Sequence, residues 1–424
     1  MENDELISFT LNNFKYKFRI NGNLIRSFNS NLEPVDNCPV IEDFGDIYPY
    51  IALYDNSDSC KDEIIEVLNS SKIHNNLYLE KNGLLNLFHN HDWLFTFSEM
   101  YSVTNDNFYL INLKKSLLEI ERLATASNFV ILDYYKVRRQ NKINRKLLFK
   151  SSNPFNVGFY EIFSEYMFLS GDYCFMDFLE KSVKSTLKLN IRNGNHFLSR
   201  NFTTKSFPFN QILLSFSAYQ ARLFKDNTNA IFGLLSLKSF EQFDYLKLVI
   251  ENWYNAICSN FLMDDGSVYN YSNDDGSDNL KSSFSLIDVL LELKEIIDFD
   301  KLSNSINNII NHQLSLKLAN GLFPESKSYK VAHLDANVDF CVSLYKSSIF
   351  LHNKKYYDEC ISLKKTILDA FKTKNGFVLY VDGNNRIIDD RIIVKYQSLI
   401  LKLTLIPNSF KKISQFNYDL LKDR

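Results

Sequence analysis

Asn320-Gly321-Leu322-Phe323-Pro324-Glu325 opens a stretch, closed by Asn375-Gly376, that reads as one complete structural unit. After the polar segment Ser326 to His333, a helix starts near Asp335. It carries Val338, Cys341, Val342, Tyr345 and Ile349 on one face, the i, i+3/i+4, i+7 spacing of a buried stripe. His352-Asn353-Lys354-Lys355 interrupts that stripe. A second helix follows with Tyr357, Cys360, Leu363, Ile367 and Phe371 on its apolar face, and it ends before Lys374. An Asn-Gly pair at Asn375-Gly376 suits a left-handed cap or tight turn, because Gly tolerates positive φ and Asn does so better than most residues. The unit is a helix hairpin closed by a turn.

The hairpin recurs. Gly266, Gly321 and Gly376 occupy equivalent turns, and the intervals 321 − 266 and 376 − 321 are both 55, the mark of stacked supersecondary units. Asn82-Gly83 and Asn193-Gly194 are earlier copies, 111 residues apart, with the intervening turn lost in the Lys/Arg-rich segment Lys136 to Lys150. The 72-residue step from Gly194 to Gly266 holds an insertion. The turn inside each hairpin recurs too, as a polar step followed by aromatics: Asn105-Asp106-Asn107-Phe108-Tyr109, Gly171-Asp172-Tyr173-Cys174-Phe175 and Asn353-Lys354-Lys355-Tyr356-Tyr357. Aromatics at such positions pin hairpin ends against their neighbours.

Composition agrees with a large ordered helical core: 45% hydrophobic residues, 36 Phe and 24 Tyr, against 7 Pro and 12 Gly in 424 residues. A net charge of −2 gives no bulk attraction to nucleic acid or anionic membrane, and the Lys136–Lys146 cluster reads as a solvated linker face. Six scattered cysteines without a Cys-x-x-Cys read as free thiols. The acidic N-terminus lacks the basic region of a secretory signal, and Lys395, Gln397 and Lys402 interrupt the longest apolar run. The expectation is a cytoplasmic protein without a membrane span.

Taken in order, residues 5 to 32 alternate around Asn21-Gly22 and predict a small β-hairpin element over residues 1–40. Residues 41–424 form a single domain of six hairpins, beginning near Asp43, Asp92, Phe159, Pro208, Lys281 and Asp335, and a last helix, Asp390 to Ile406, packs back on the N-terminal element. Asp43 and Asp46 stand at the first helix start, as caps or as a pair facing a pocket. His89, His91 and Asp92 cluster at the second, but the i, i+2 histidines do not suit two metal ligands on one helix face. The Asp264–Gly276 loop lacks a calcium-loop pattern. No cofactor or metal is expected.

The hairpin period and loops such as Asn320-Gly321-Leu322-Phe323-Pro324 resemble the six-hairpin glycosidase-like superfamily, whose members are all-α (α/α)6 toroids acting on sugars. The resemblance spans Asp43 to about Ile406. It implies a carbohydrate substrate held where the loops enter the inner helices, which on this chain carry Asp43, Asp46, His91, Asp92, Glu325, His333, Asp335 and Asp339. Glycoside cleavage needs one protonated and one ionised carboxyl group, and burial among aromatics separates two carboxyl pKa values. In this reading Asp335, Asp339 and His333, the last as a base in the manner of sugar epimerases, form one half of a catalytic site, and Asp43, Asp46 and Asp92 form the other. Tyr48, Trp93 and Tyr329 would stack on sugar faces, with His91 and Glu325 as further substrate contacts. Two other readings stand beside a glycoside hydrolase or sugar epimerase: a non-catalytic helical-repeat protein that binds polysaccharide or protein, and a helical-toroid cyclase. The cysteines have no neighbours suited to the cyclase's zinc set.

Overall fold

The computed structural model describes residues 3–39, 41–55, 57–80, 83–136, 150–190, 197–207, 210–271 and 278–407. Fourteen α-helices lie among them: α1 (Asn3–Asn12), α2 (Phe44–Ala52), α3 (Ser57–Leu68), α4 (Leu87–Thr104), α5 (Asn107–Thr125), α6 (Phe159–Ser170), α7 (Met176–Asn190), α8 (Thr228–Leu237), α9 (Leu246–Asn260), α10 (Leu280–Glu292), α11 (Phe299–Ser315), α12 (Leu334–Phe350), α13 (Lys354–Ala370) and α14 (Val394–Leu399). Contacts divide the chain into two units, one of residues 1–40, 46–55 and 260–424, the other of residues 41–45 and 56–259.

The hairpin tips explain themselves chemically. Asn105, Gly171 and His352 adopt positive φ (56°, 69° and 50°) and end α4, α6 and α12 in the left-handed conformation. Asp106 and Asn353 then cap α5 and α13, accepting from the N–H of Phe108 (2.9 Å) and Lys355 (3.0 Å). The polar step is therefore a helix stop followed by a helix start. Of the aromatics after it, Tyr109, Phe175, Tyr356 and Tyr357 are buried, in keeping with a packing role, while Tyr173 is exposed. Gly266 and Gly321 share positive φ (85° and 94°) as equivalent turns. Gly376 differs from them: at 158° it is nearly extended, and α13 has already ended at Ala370.

In the first unit, residues 5–14 are helix rather than strand. Leu6, Thr10, Asn13 and Phe14 are buried at i, i+4, i+7 and i+8, the helical period, while Tyr16 is exposed. The hairpin itself is present but shorter, Arg19–Ile20 against Asn23–Phe28, turned by Asn21 and Gly22 at positive φ. The last helix packs back on this N-terminal element: Asn23–Phe28 pairs with Ile392–Ile393 just before α14, and Asn3 Nδ2 donates to the Thr404 carbonyl. Lys411 to Arg424 lie outside the described residues.

In the second unit the fourth hairpin begins at Thr228, not near Pro208, itself outside the described residues. The insertion is a long antiparallel pair, Leu198–Phe207 with Asn210–Gln220, extended by Lys150–Ser152. The segment Asp226 to Phe240, within the same step, is mainly α8. Asn193-Gly194, most of the Lys136–Lys150 cluster and Asp274-Asp275 are outside the described residues. No described helix is long and apolar enough to cross a membrane.

Candidate functional site

A buried amide in the first turn clamps three of the helix starts. Asn337, the fourth residue of α12, accepts from the Phe323 N–H (2.8 Å) and donates to the carbonyls of Phe323 and His333 (both 2.9 Å). Asn90 in α4 makes the same set with Tyr78 N–H, Tyr78 carbonyl and Asn86 carbonyl, and Gln397 in α14 with Phe377 N–H, Phe377 carbonyl and Ile393 carbonyl. Each amide satisfies backbone groups of the preceding loop that burial would otherwise orphan. The Asn337 clamp fixes the loop that carries Glu325.

His333 ends the strand Val331–His333 and is the N-cap of α12: its Nδ1 accepts the Ala336 N–H at 3.3 Å. The cap is thus the histidine, not Asp335. An accepting Nδ1 places the ring proton on Nε2. The ring is 4% exposed, and burial, reinforced by Lys281, pushes its pKa down to about 4. It is a neutral N–H donor, unsuited to act as a base through Nε2. In register across the three-stranded sheet stand His333, Tyr380 and Asp389. The Tyr380 ring lies 4.8 Å from the imidazole and the Tyr396 ring 5.5 Å. Tyr380 donates to Glu325 (3.2 Å), and half-exposed Tyr329 packs edge-on to Tyr380. Glu325 and Tyr329, read from the sequence as substrate contacts, do border His333's neighbourhood. Tyr380, Tyr396 and Asp389 were missed, because their proximity depends on a strand pairing some fifty residues away.

Three carboxylates of this unit that the sequence singled out are ion-paired. Lys281 stands 3.5 Å from Asp335, Lys395 3.4 Å from Asp46, and Lys402 3.2 Å from Asp339. Burial works to raise the Asp335 pKa, but Lys281, with Lys395 and Lys402, holds it below the ordinary carboxylate range. Arg391 does the same for Asp389 through paired hydrogen bonds. Asp335 and Asp389 are therefore ionised, and neither is the protonated acid that the sequence argument sought. Asp339 is buried with Lys402 and belongs to an interior ion pair, as Asp288 does with Lys346 (3.2 Å) and Ser343. Tyr48 is buried in the core and offers no face to a sugar.

In the second unit, Trp93 is likewise fully buried, its Nε1 donating to the Asn76 carbonyl (2.8 Å), so it is core and not a stacking platform. His91 is 2% exposed and ringed by Phe95, Phe155 and Phe159, which removes it from direct substrate contact. His89 pairs with Glu80 (3.3 Å). Asp43 and Asp92 do come together, with carboxylate oxygens within 4.8 Å. The Asp264–Gly276 loop shows no cation-like arrangement in its described part: Asp265 accepts from Ser267 N–H and Oγ, capping its own turn.

No family model matches the sequence, and no curated protein matches it. Solved structures do match. An α-1,2-mannosidase from Trichoderma reesei aligns at TM-score 0.63 and 12% identity, over 95% of this chain and 92% of that one. A D-mannose isomerase aligns at TM-score 0.58 and 10% identity, over 95% and 97%. A cellobiose 2-epimerase from Spirochaeta thermophila aligns at TM-score 0.55 and 10% identity, over 82% and 96%. At these identities the likeness is one of fold alone: the chain is an all-α protein with an (α/α)6 arrangement of helices like that of these structures.

Proposed function

We propose that the protein is a carbohydrate-active enzyme of the epimerase or isomerase kind, moving a proton next to the carbonyl of an open-chain sugar. The observation that carries this reading is His333: buried, neutral, seated at a helix N-terminus, with its proton on Nε2 beside Tyr380 and Tyr396. A neutral imidazole at a helix N-terminus is an electrophile that polarises a carbonyl without giving up its proton. Asp335, ionised and mostly buried two residues on, is the proton acceptor, and Lys281 keeps it in that state. The C2 proton passes to Asp335 and negative charge collects on the carbonyl oxygen, O1, hydrogen-bonded by Nε2–H; in isomerisation the proton is then delivered to C1 while the O2 proton moves to O1, and in epimerisation it returns to the opposite face of C2 after the enediolate has turned. The aromatic edges of Tyr329, Tyr380 and Tyr396 fit the apolar faces of a sugar ring or chain. Three folds of the same kind belong to a mannosidase, a mannose isomerase and a cellobiose epimerase, which supports a sugar as substrate. Hydrolysis is the weaker reading here, because Asp335 and Asp389 are both held ionised.

The test is a panel of aldoses, ketoses and β-linked disaccharides incubated in D2O and read by proton NMR. The proposal expects deuterium at C2 of at least one sugar, abolished in Asp335→Asn and reduced in His333→Phe. Release of a reducing end without exchange would replace it by glycoside hydrolysis.

A further inference from the structure

The second unit holds a polar arrangement that the sugar chemistry above does not use. Asp43, 8% exposed, closes the short 3-10 turn Ile41–Asp43, and Asp92 lies in the first turns of α4. Gly45 lets the two segments meet: a Cβ there would press against the Asp92 carbonyl oxygen, well inside contact distance, and lie 3.2 Å from the Thr96 nitrogen. The result is two carboxylates with oxygens within 4.8 Å of each other. Behind Asp92 sits His91. Its Nδ1 faces Asp92 Oδ1 at 3.5 Å, close enough for charge attraction but too long for a good hydrogen bond, and neither ring nitrogen has a hydrogen-bond partner although both are buried. Its other nitrogen, Nε2, faces Gly158, where a Cβ would come to 3.0 Å. Glycines thus make room for both the acid pair and the histidine. A buried donor left unpaired is destabilising.

We propose that Asp43 and Asp92 hold one hard divalent cation, with His91 as the outer group that orients Asp92. Two carboxylates with waters completing the shell are the ligand set a Mg2+, Mn2+ or Ca2+ ion takes. The ion cancels the repulsion of the acid pair. Once it engages one Asp92 oxygen, His91 Nδ1–H closes on the carboxylate and finds the partner it lacks, the carboxylate–histidine support common behind metal ligands. This site needs no sugar and stands independently of the proposed reaction.

The experiment is a titration of the intact, chelator-treated chain with Mn2+ alone, followed by electron paramagnetic resonance, with Ca2+ and Mg2+ as competitors. One saturable Mn2+ per chain is expected. Affinity should fall at least about 100-fold in Asp92→Asn and in Asp43→Asn, and about 10- to 100-fold in His91→Phe, the loss typical of an outer-shell partner. His91→Phe should also raise the melting temperature of the metal-free protein, because it removes two unpaired nitrogens from a phenylalanine-lined site; that readout separates a fold defect from a binding defect. Absence of saturable Mn2+ binding to the wild-type chain, or binding that Asp92→Asn and Asp43→Asn leave unchanged, would overturn the site. His91→Phe with unaltered affinity would overturn the role given to His91.

Discussion

Removing the ammonium group of Lys402 should destabilise the protein more than any surface substitution, and removing its partner as well should restore it. Lys402 and Asp339 are each less than a tenth exposed and 3.2 Å apart. Lys402→Met leaves the Asp339 carboxylate buried without its counter-ion, which costs about 3–5 kcal/mol, whereas replacing both groups by apolar ones of similar volume is often neutral or stabilising by about 1–4 kcal/mol. With an unfolding entropy of about 2.1 cal/mol/K per residue, 3–5 kcal/mol lowers the melting temperature by roughly 3–6 °C if all 424 residues unfold together, and by about twice that if the first unit unfolds alone. The assay is differential scanning calorimetry of wild type, Lys402→Met, Asp339→Leu and the double variant. The double variant should melt within a degree or two of wild type while both single variants fall. Additive losses would refute the interior ion-pair assignment and return Asp339 to the catalytic candidates.

The Asn337→Ala variant should lose about 2–4 kcal/mol, since it orphans the buried N–H and C=O of Phe323, measurable by urea denaturation. The hydrogen bond that His312 Nε2–H donates to the Asp278 carboxylate raises the His312 pKa, opposed by burial. Because the folded value is raised, this stabilisation is fully present below about pH 6.5 and fades as pH climbs through the folded value. Between pH 6 and 9 the wild-type melting temperature should therefore fall relative to His312→Gln, and parallel curves would count against the pair. The Gly45→Ala variant should destabilise by more than about 2 kcal/mol, because its clash is with backbone that cannot swing aside; an unaltered melting temperature would show that the close approach is not required.

Much of the helical frame was legible in the sequence because its signals are local. The stripe from Val338 to Ile349, the stop at His352 and the cap at Asn353 lie within a few residues of what they control, and α10 to α13 fall where the periodicity puts them. The N-terminal stretch misled because Leu6, Ile7, Phe9 and Leu11 satisfy alternation nearly as well as a helical stripe. The site was less legible. Trp93 and Tyr48 sit in the second turns of their helices, close to where a mouth residue would also sit, yet these helix starts are buried on several faces and the rings point into the core. Nothing local marks Lys346 and Lys402 as partners of interior acids; only the fold brings Asp288 and Asp339 to them. Tyr380 reaches His333 through strand pairing that no local pattern announces. The buried amide clamps carry a signal that could have been found: Asn90, Asn337 and Gln397 are each the fourth residue of a helix, polar side chains inside otherwise apolar stripes.

The account turns on the proton of one imidazole, and nitrogen-15 NMR of the histidine side chains observes it directly. His333, assigned by comparison with His333→Phe, should show the neutral ring with its proton on Nε2 from pH 8 down to about pH 5, titrating only near pH 4. A ring that becomes imidazolium near pH 6.5, or that carries its proton on Nδ1, would contradict the carbonyl-polarising role on which the proposed chemistry rests.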